Sequence, residues 1–491
     1  MVRTEFERCD AVVIGAGIAG LTAAAELSRG GARTFVVERH NVPGGCASFY
    51  QRDGYRFDVG ATLVGGFGSR GIHRLLNERF GIVVSSVPIE PSMVVHLPDA
   101  TVVRYGDERW PAERKRAFGT EAEQFWRAQE RIADRTWDFS TRFPALPVDM
   151  VSLAALIRAF RPRQLPLAFA LGRTVASIMP RDASRRLRAF VDAQLLITAQ
   201  TDAAGADLAY GATALDLARE GTFHLPYGVS TLATALARAV RRTGGSILYN
   251  NSVAEIETRR GRVVAVRLAD GRRIACRSVV SSLPVHDSAD LCGALARAFR
   301  PRLAALPERW GAFVVYCALP PGVVPDDLPS HHQLVASYDA PLGEANSSFL
   351  SVSGADEPQR ARSGGRAVTL STHTDVARWE RAHRDGSDAT LRAAYTRALL
   401  ASLDRVVPGA SGRAVFVESA TPNTFARYTA RRRGLVGGLP QTPETATFGA
   451  FTHRTPVRGL YLCGDTTFPG QSTVGTALGG INAARAALSG T

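Results

Sequence analysis

Lysine is almost missing from this 491-residue chain. Lys115 is the one lysine among 59 Lys and Arg residues, and the remainder are arginine. Against 45 Asp and Glu this leaves a formal net charge of +14. Such a field favours anionic partners, among them phosphate cofactors, nucleic acid and phospholipid head groups. It is equally the composition that a GC-rich genome writes. No aromatic-rich basic platform accompanies the charge, so a nucleic-acid role is not expected. Cysteine is scarce as well. Cys9, Cys46, Cys276, Cys292, Cys317 and Cys463 are scattered, and no two have the C-x-x-C spacing of a zinc or dithiol site. The ten histidines include no H-x-x-x-H pair, so no metal site is expected. Few, dispersed cysteines in a long chain read as a reducing, cytoplasmic protein. No run of about 18 apolar residues is present to span a membrane. The charged N-terminus runs straight into a strand pattern and does not read as a signal peptide.

What is present is globular in kind. At 45% hydrophobic and 21% charged the chain is neither disordered nor fibrous. Its length predicts about three domain-sized units, or two with one split by insertions.

The first motif opens the chain. Residues 10–14 are an apolar run suited to a strand buried on both faces. Gly15-Ala-Gly17-Ile18-Ala19-Gly20 follows, then a helical pattern over 21–27 and a second apolar strand over 34–38 that ends in Glu38. This is the βαβ dinucleotide fingerprint in its required context. The first glycine makes the tight turn, the second lets a pyrophosphate approach the helix N-terminus, and the third lets helix and strand pack closely. Glu38 is placed to accept the ribose hydroxyls of an adenosine.

A second glycine pair, Gly44-Gly45, comes after Arg39 and before Cys46 and Ser48. It matches the pattern of flavoproteins of the glutathione-reductase-like and amine-oxidase-like group, in which the chain there runs along the pyrophosphate and ribitol. At the far end, residues 459–463 form an apolar run closing in Gly464-Asp465, and an Ala/Gly-rich helix is predicted over 476–488. In that group the acid holds the ribitol hydroxyls, and the helix N-terminus points its positive end at the flavin C2 carbonyl, stabilising the reduced ring. Both ends of the chain thus build one FAD site, with the middle inserted.

The family can be narrowed. Arg52-Asp-Gly-Tyr-Arg56 leading into Phe57-Asp58-Val-Gly60-Ala61-Thr62 resembles the segment after the glycine pair in bacterial phytoene desaturases, carotene isomerases and retinol saturases. Leu462-Cys-Gly-Asp465-Thr-Thr-Phe-Pro-Gly470-Gln is similar to their C-terminal signature, as is Thr421-Pro-Asn-Thr-Phe-Ala-Arg427 with Gly434-Leu-Val-Gly-Gly438. The variant Gly60-Ala-Thr-Leu-Val-Gly-Gly-Phe67 resembles carotenoid 3,4-desaturases most, and carotene isomerases next. In one departure, some members carry a basic residue directly after the glycine pair where this chain has Cys46. The resemblance therefore implies no cation at that position, and Cys46 reads as a small, inert buried thiol, with contact to the flavin as the alternative. Motif and resemblance together give cofactor contacts at Gly15, Gly17, Ile18, Ala19, Gly20, Glu38, Arg39, Gly44, Gly45, Ser48, Gly60, Ala61, Thr62, Val253, Gly464, Asp465, Thr473, Val474 and Gly475.

The fold expected is α/β: a discontinuous Rossmann-like FAD-binding domain of the glutathione-reductase/amine-oxidase type, an α+β substrate domain and a helical insertion. The FAD-binding parts are 1–80, 222–290 and 448–491. The substrate-domain parts are 81–110 and 291–447, and the helical insertion is 111–221. A helix is predicted from Ser230, as N-cap, to about Thr243. Strands are predicted over 246–249, 251–256, 263–268 and 273–280, and a mostly antiparallel sheet over 300–417. Within the insertion, apolar clusters over 151–179 alternate with Arg158, Arg161, Arg163, Arg173, Arg181, Arg185 and Arg186. That alternation is the pattern of a segment lying at a membrane surface.

The resemblance implies an FAD-dependent desaturase that places the 3,4 double bond in a 1-hydroxylated carotenoid by hydride transfer to flavin. The partners expected are a long apolar carotenoid, the inner face of the cell membrane as a peripheral attachment, and a quinone or oxygen as electron acceptor. A carotenoid cis–trans isomerase, a phytoene desaturase and a retinol-saturase-like reductase are the alternatives, and a flavin-fold lipid escort a further one. No Ser/His/Asp order or paired-acid motif marks a catalytic residue. No second G-x-G-x-x-G offers a nicotinamide site.

Overall fold

The computed structural model describes residues 8–144, 146, 150–361 and 364–490. The opening apolar run forms β1 (Ala11–Ile14), followed by α1 (Ile18–Arg29) and β2 (Thr34–Val37). Both strands are buried along their whole length, as a parallel sheet covered on two faces demands. Three distant stretches complete the sheet: β3 (Ser246–Leu248), β4 (Ser278–Ser281) and β5 (Leu460–Leu462). The order is β5-β4-β1-β2-β3, with every pair parallel.

Two later helices close over α1. In α2 (Ser230–Arg242), Leu232, Ala233, Leu236, Ala239 and Val240 are buried. α3 (Ser472–Ser489) approaches α1 so closely that a Cβ on Gly480 would stand 2.4 Å from the Ala19 carbonyl oxygen. Glycine at that crossing sets the distance between the helices.

Three local expectations need correction. Ser230 is not the cap of α2. Val229 occupies that place without a side-chain cap, and the Ser230 hydroxyl instead accepts from Arg56 Nη2 at 2.8 Å. α3 starts at Ser472 rather than 476, because the Ser472 hydroxyl accepts the Gly475 amide hydrogen and closes an earlier turn. The run 273–280 is two strands, not one. Arg273–Ala275 belongs to a three-stranded antiparallel sheet with Val253–Arg259 and Arg262–Leu268, and the chain then crosses to β4, where Arg277 and Ser278 both donate to the Asp10 carbonyl.

A second large sheet has seven strands in the order Phe416–Ala420, Trp310–Leu319, Arg366–Asp375, Ser347–Val352, His331–Val335, Met93–His96 and Thr101–Arg104. It is antiparallel except between Met93–His96 and His331–Val335, which run parallel. Helices cover it, among them Trp110–Phe118, Glu123–Ser140 and Arg185–Ala199. Trp110, Phe118, Trp126 and Phe190 pack ring to ring between them. Residues Pro162–Ala170, expected to be helical, wind as a 3₁₀ segment, because Pro166 has no amide hydrogen to extend an α-helix. Among the described residues no helix is long and apolar enough to cross a membrane, and no cluster of His, Cys, Asp and Glu is placed to hold a metal ion.

Candidate cofactor and substrate site

The C-terminal ends of β1, β2, β4 and β5 open into one cavity of about 1330 Å³, whose opposite wall is the seven-stranded sheet. Ligands of open α/β sheets bind in this crevice beyond the strand ends. The volume exceeds the roughly 300–1,000 Å³ typical of a single small-molecule site. There is room for two ligands end to end.

One end of the cavity is backbone. Gly15 has φ +92°, and a Cβ there would meet Ser282 Oγ at 2.7 Å. A Cβ on Gly17 would meet nothing within 4 Å, so empty space lies in front of that turn, at the N-terminus of α1. Glu38 ties the turn to β2: Oε2 accepts the Ala16 amide hydrogen at 2.6 Å and Oε1 that of His40 at 2.7 Å. Ile18, Ala19 and Arg39 stand on the same wall, followed by Gly44, Gly45 and Ser48, then Gly60, Ala61 and Thr62, with Val253 beside them. Gly464, Asp465, Thr473 and Val474 close the ring from the C-terminal side. Gly20 and Gly475 alone among the expected residues stay off the wall. Gly20 packs against Gly15, where a Cβ would stand 2.1 Å from its carbonyl oxygen, and Gly475 lies in the first turn of α3.

Cys46 departs from expectation. It is half-buried on the cavity wall, not sequestered in a core. Asp465 lies on the wall as expected, and its Oδ2 also accepts from Arg431 Nη2 at 2.5 Å.

Several contributors carried no sequence signal that assigned them. Gln471 is buried, and among the described residues neither atom of its amide has a partner where it faces the cavity ahead of α3. Ser282 braces the glycine turn by donating to the Ile14 and Gly15 carbonyls. The Asp287 carboxyl is pushed up to about 6 by burial, and its Oδ2 has no partner among the described residues. Thr62 Oγ1 accepts from Ser351, whose Oγ also meets the buried His331 ring at 2.9 Å.

The other end of the cavity is side chains. Leu63, Leu196, Ile197, Leu217, Val314 and Phe349 give it apolar walls. Polar groups sit among them: Gln194 donates to Gln333, Gln333 donates to the Ala193 carbonyl at 2.8 Å, and Gln200 meets His373 at 3.0 Å. Arg104 spends its guanidinium on the Tyr105 and Leu215 carbonyls and stacks on Trp110.

Comparison with known proteins gives a consistent frame. The model of the flavin-containing amine oxidoreductase family matches residues 18–488. The chain is 28% identical to prolycopene isomerase, chloroplastic, of Arabidopsis thaliana over 490 residues, spanning 96% of this chain and 81% of the relative. It is 26% identical to phytoene desaturase (lycopene-forming) of a Paracoccus species over 485 residues, spanning 95% and 94%. An oxidoreductase from Methanosarcina mazei superposes with a TM-score of 0.63 at 18% identity, covering 96% of this chain and 99% of that one, a likeness of fold.

Proposed function

The chain belongs to the flavin-containing amine oxidoreductase family, and from that premise we propose that it is a carotenoid desaturase, placing the 3,4 double bond in a 1-hydroxylated carotenoid. The observation that carries this reading is the single cavity running from the glycine turns to an apolar chamber roomy enough for a second, elongated ligand.

The cofactor is FAD, and the residues fit it. The space before Gly17 accepts a pyrophosphate at the α1 N-terminus, and Glu38 stands at the strand end where an adenosine ribose is held. The unpartnered Gln471 amide offers a donor and an acceptor together, the complement of a flavin imide edge. Gly44, Gly45, Asp465, Thr473 and Val474 would hold the stretch between. When bound, FAD supplies a two-electron acceptor for hydride.

The chain's own residues then have three tasks. Leu196, Ile197, Leu217 and Phe349 hold the polyene and keep water from the reacting carbons. The Gln194–Gln333 amide pair, one of the polar groups set among the apolar walls, offers hydrogen bonds to a hydroxylated end group. No charged base is required, because the conjugated chain itself spreads the positive charge that develops as hydrogen leaves. Desaturation removes a hydride from one carbon, taken up by the flavin, and a proton from its neighbour, taken up by water or a polar side chain beside the ring, and the electron pair passes finally to a quinone or oxygen.

A second reading, carotenoid cis–trans isomerase, is favoured by the likeness to a prolycopene isomerase. Cells making a 1-hydroxylated carotenoid, with and without this chain, separate the two by mass and absorbance. Loss of two hydrogens with a red-shifted spectrum supports the desaturase. An unchanged mass with an altered cis peak replaces it by the isomerase.

The place of action that goes with this reading is a membrane surface, reached from the cytoplasmic side. Met150, Ile157, Leu165, Phe169 and Leu171 are exposed on one stretch, Phe169 by 78%, and Arg158, Arg161, Arg163 and Arg173 are exposed between them. Apolar side chains entering the acyl boundary with arginines at phosphate level suit an anionic bilayer.

A further inference from the structure

Five arginines stand on the cavity wall: Arg39, Arg104, Arg392, Arg427 and Arg431. Four are spent or exposed. Arg104 is bound to two carbonyls, and Arg39 and Arg392 are exposed and donate to the carbonyls of Arg427 and Ser419. Arg427 is exposed, with its guanidinium over the Tyr428 ring. Arg431 differs from all of these. Its side chain is 15% exposed, and one Nη2 hydrogen bond to Asp465 is the only bond its guanidinium makes to the described residues. Burial works against its charge, but Asp465, Cys46 and Asp287 outweigh that and hold it above the usual arginine range. A guanidinium presents five N–H groups in a fixed fork. Four of them therefore have no described protein acceptor, beside a cavity and next to Cys46.

The anion to be matched is the cofactor's. The diphosphate linker of a dinucleotide carries two negative charges, while the Gly15–Gly20 turn offers only backbone hydrogens and about half a positive charge from the helix end. Position 46, where some relatives place a cation, is a thiol here. We propose that Arg431 supplies that cation from the opposite side of the cavity, gripping Asp465 with one N–H and the diphosphate with the others. The planar fork suits two phosphate oxygens at once. Because residue 431 follows the strand Phe416–Ala420 and the helix Pro422–Thr429, cofactor binding also ties the seven-stranded sheet to the parallel one.

The test uses the full chain freed of flavin and two partial ligands, titrated calorimetrically. ADP carries the diphosphate and no ribitol; riboflavin carries the ribitol and no phosphate. Arg431→Gln is expected to weaken ADP about tenfold or more, the scale of a lost charge-assisted hydrogen bond, with riboflavin within about twofold of the parent chain. Unchanged ADP binding overturns the proposal, and so does a loss confined to riboflavin, which would make Arg431 a positioning residue for Asp465 alone. If Arg431→Gln does not fold, Arg431→Lys carries the comparison, keeping the charge and losing the fork. Weakening of ADP beyond that of riboflavin then supports the proposal, and equal weakening overturns it.

Discussion

Glu38 reaches from the end of β2 across to the glycine turn, where its Oε2 accepts the Ala16 amide hydrogen at 2.6 Å. The same carboxylate takes the His40 amide on its other oxygen, so one side chain fixes the first glycine turn and the loop after β2 together. Hydrogen bonds to a charged acceptor contribute about 1.5–3 kcal/mol each. Glu38→Ala is expected to weaken FAD binding about tenfold or more, read as flavin fluorescence quenching, while circular dichroism stays near that of the parent. Parent-like FAD affinity would show that the carboxylate is dispensable to the cofactor.

Asp58 and Arg360 form an ion pair at 2.8 Å with side chains only 4% and 8% exposed, and Asp58 also accepts the Val229 amide hydrogen. Removing one partner of such a pair strands a buried charge, at a cost of about 3–5 kcal/mol. Arg360→Met should lower the urea midpoint by that measure, and Asp58→Asn with Arg360→Met should recover part of it. A loss in the double variant equal to the sum of the Arg360→Met and Asp58→Asn losses would mean the two side chains are not coupled.

Acid sensitivity follows from burial. His73 and His331 are driven down to about 3, and His332, His373 and His453 to about 4, each from 6.5 and each chiefly by loss of solvent. The unfolded chain then binds protons that the folded one refuses, so stability is full above about pH 6.5 and falls as pH drops toward 4. Each histidine costs about 1.4 kcal/mol per pH unit in that window. Melting temperatures from pH 7.5 to 5 should fall steeply, and less steeply in His453→Gln. A flat profile would mean these rings take up protons in the folded state.

For the exposed arginine-rimmed stretch, Leu165→Ser with Phe169→Ser removes two of the projecting side chains without touching the cavity. Flotation with anionic liposomes should carry the parent chain upward and leave the double variant in the soluble fraction. If both remain soluble, the membrane assignment fails.

The parallel sheet and its glycine turns were legible because they are local: Ala11 to Glu38 is one continuous run of strand, helix and strand, and Gly464-Asp465 ends another strand. Residues assigned by distant packing were not legible. Arg431 sits in a run of three arginines with nothing to distinguish it, since Arg432 and Arg433 turn to Glu308 and Glu380 while Arg431 alone faces Asp465. Ser282 and Gln471 acquire their roles from β4 and α3 meeting the first turn, a relationship no spacing records. The break of 273–280 into two sheets was hidden for a similar reason. Its residues are strand-forming throughout, and the switch is set by hydrogen bonds to Asp10 far upstream.

The order β5-β4-β1-β2-β3 has a consequence for biosynthesis. β1 lies between β4 and β2, and β4 in turn waits for β5, whose residues leave the ribosome only after the bulk of the chain has emerged. Until then the apolar edge of β4 and the face of α1 that receives α3 stay uncovered. Pairings across such separations are slow, and exposed strand edges invite aggregation. Translation stalled before residue 460 therefore yields a product with a sticky open edge and half a nucleotide cradle, a natural client for a chaperone.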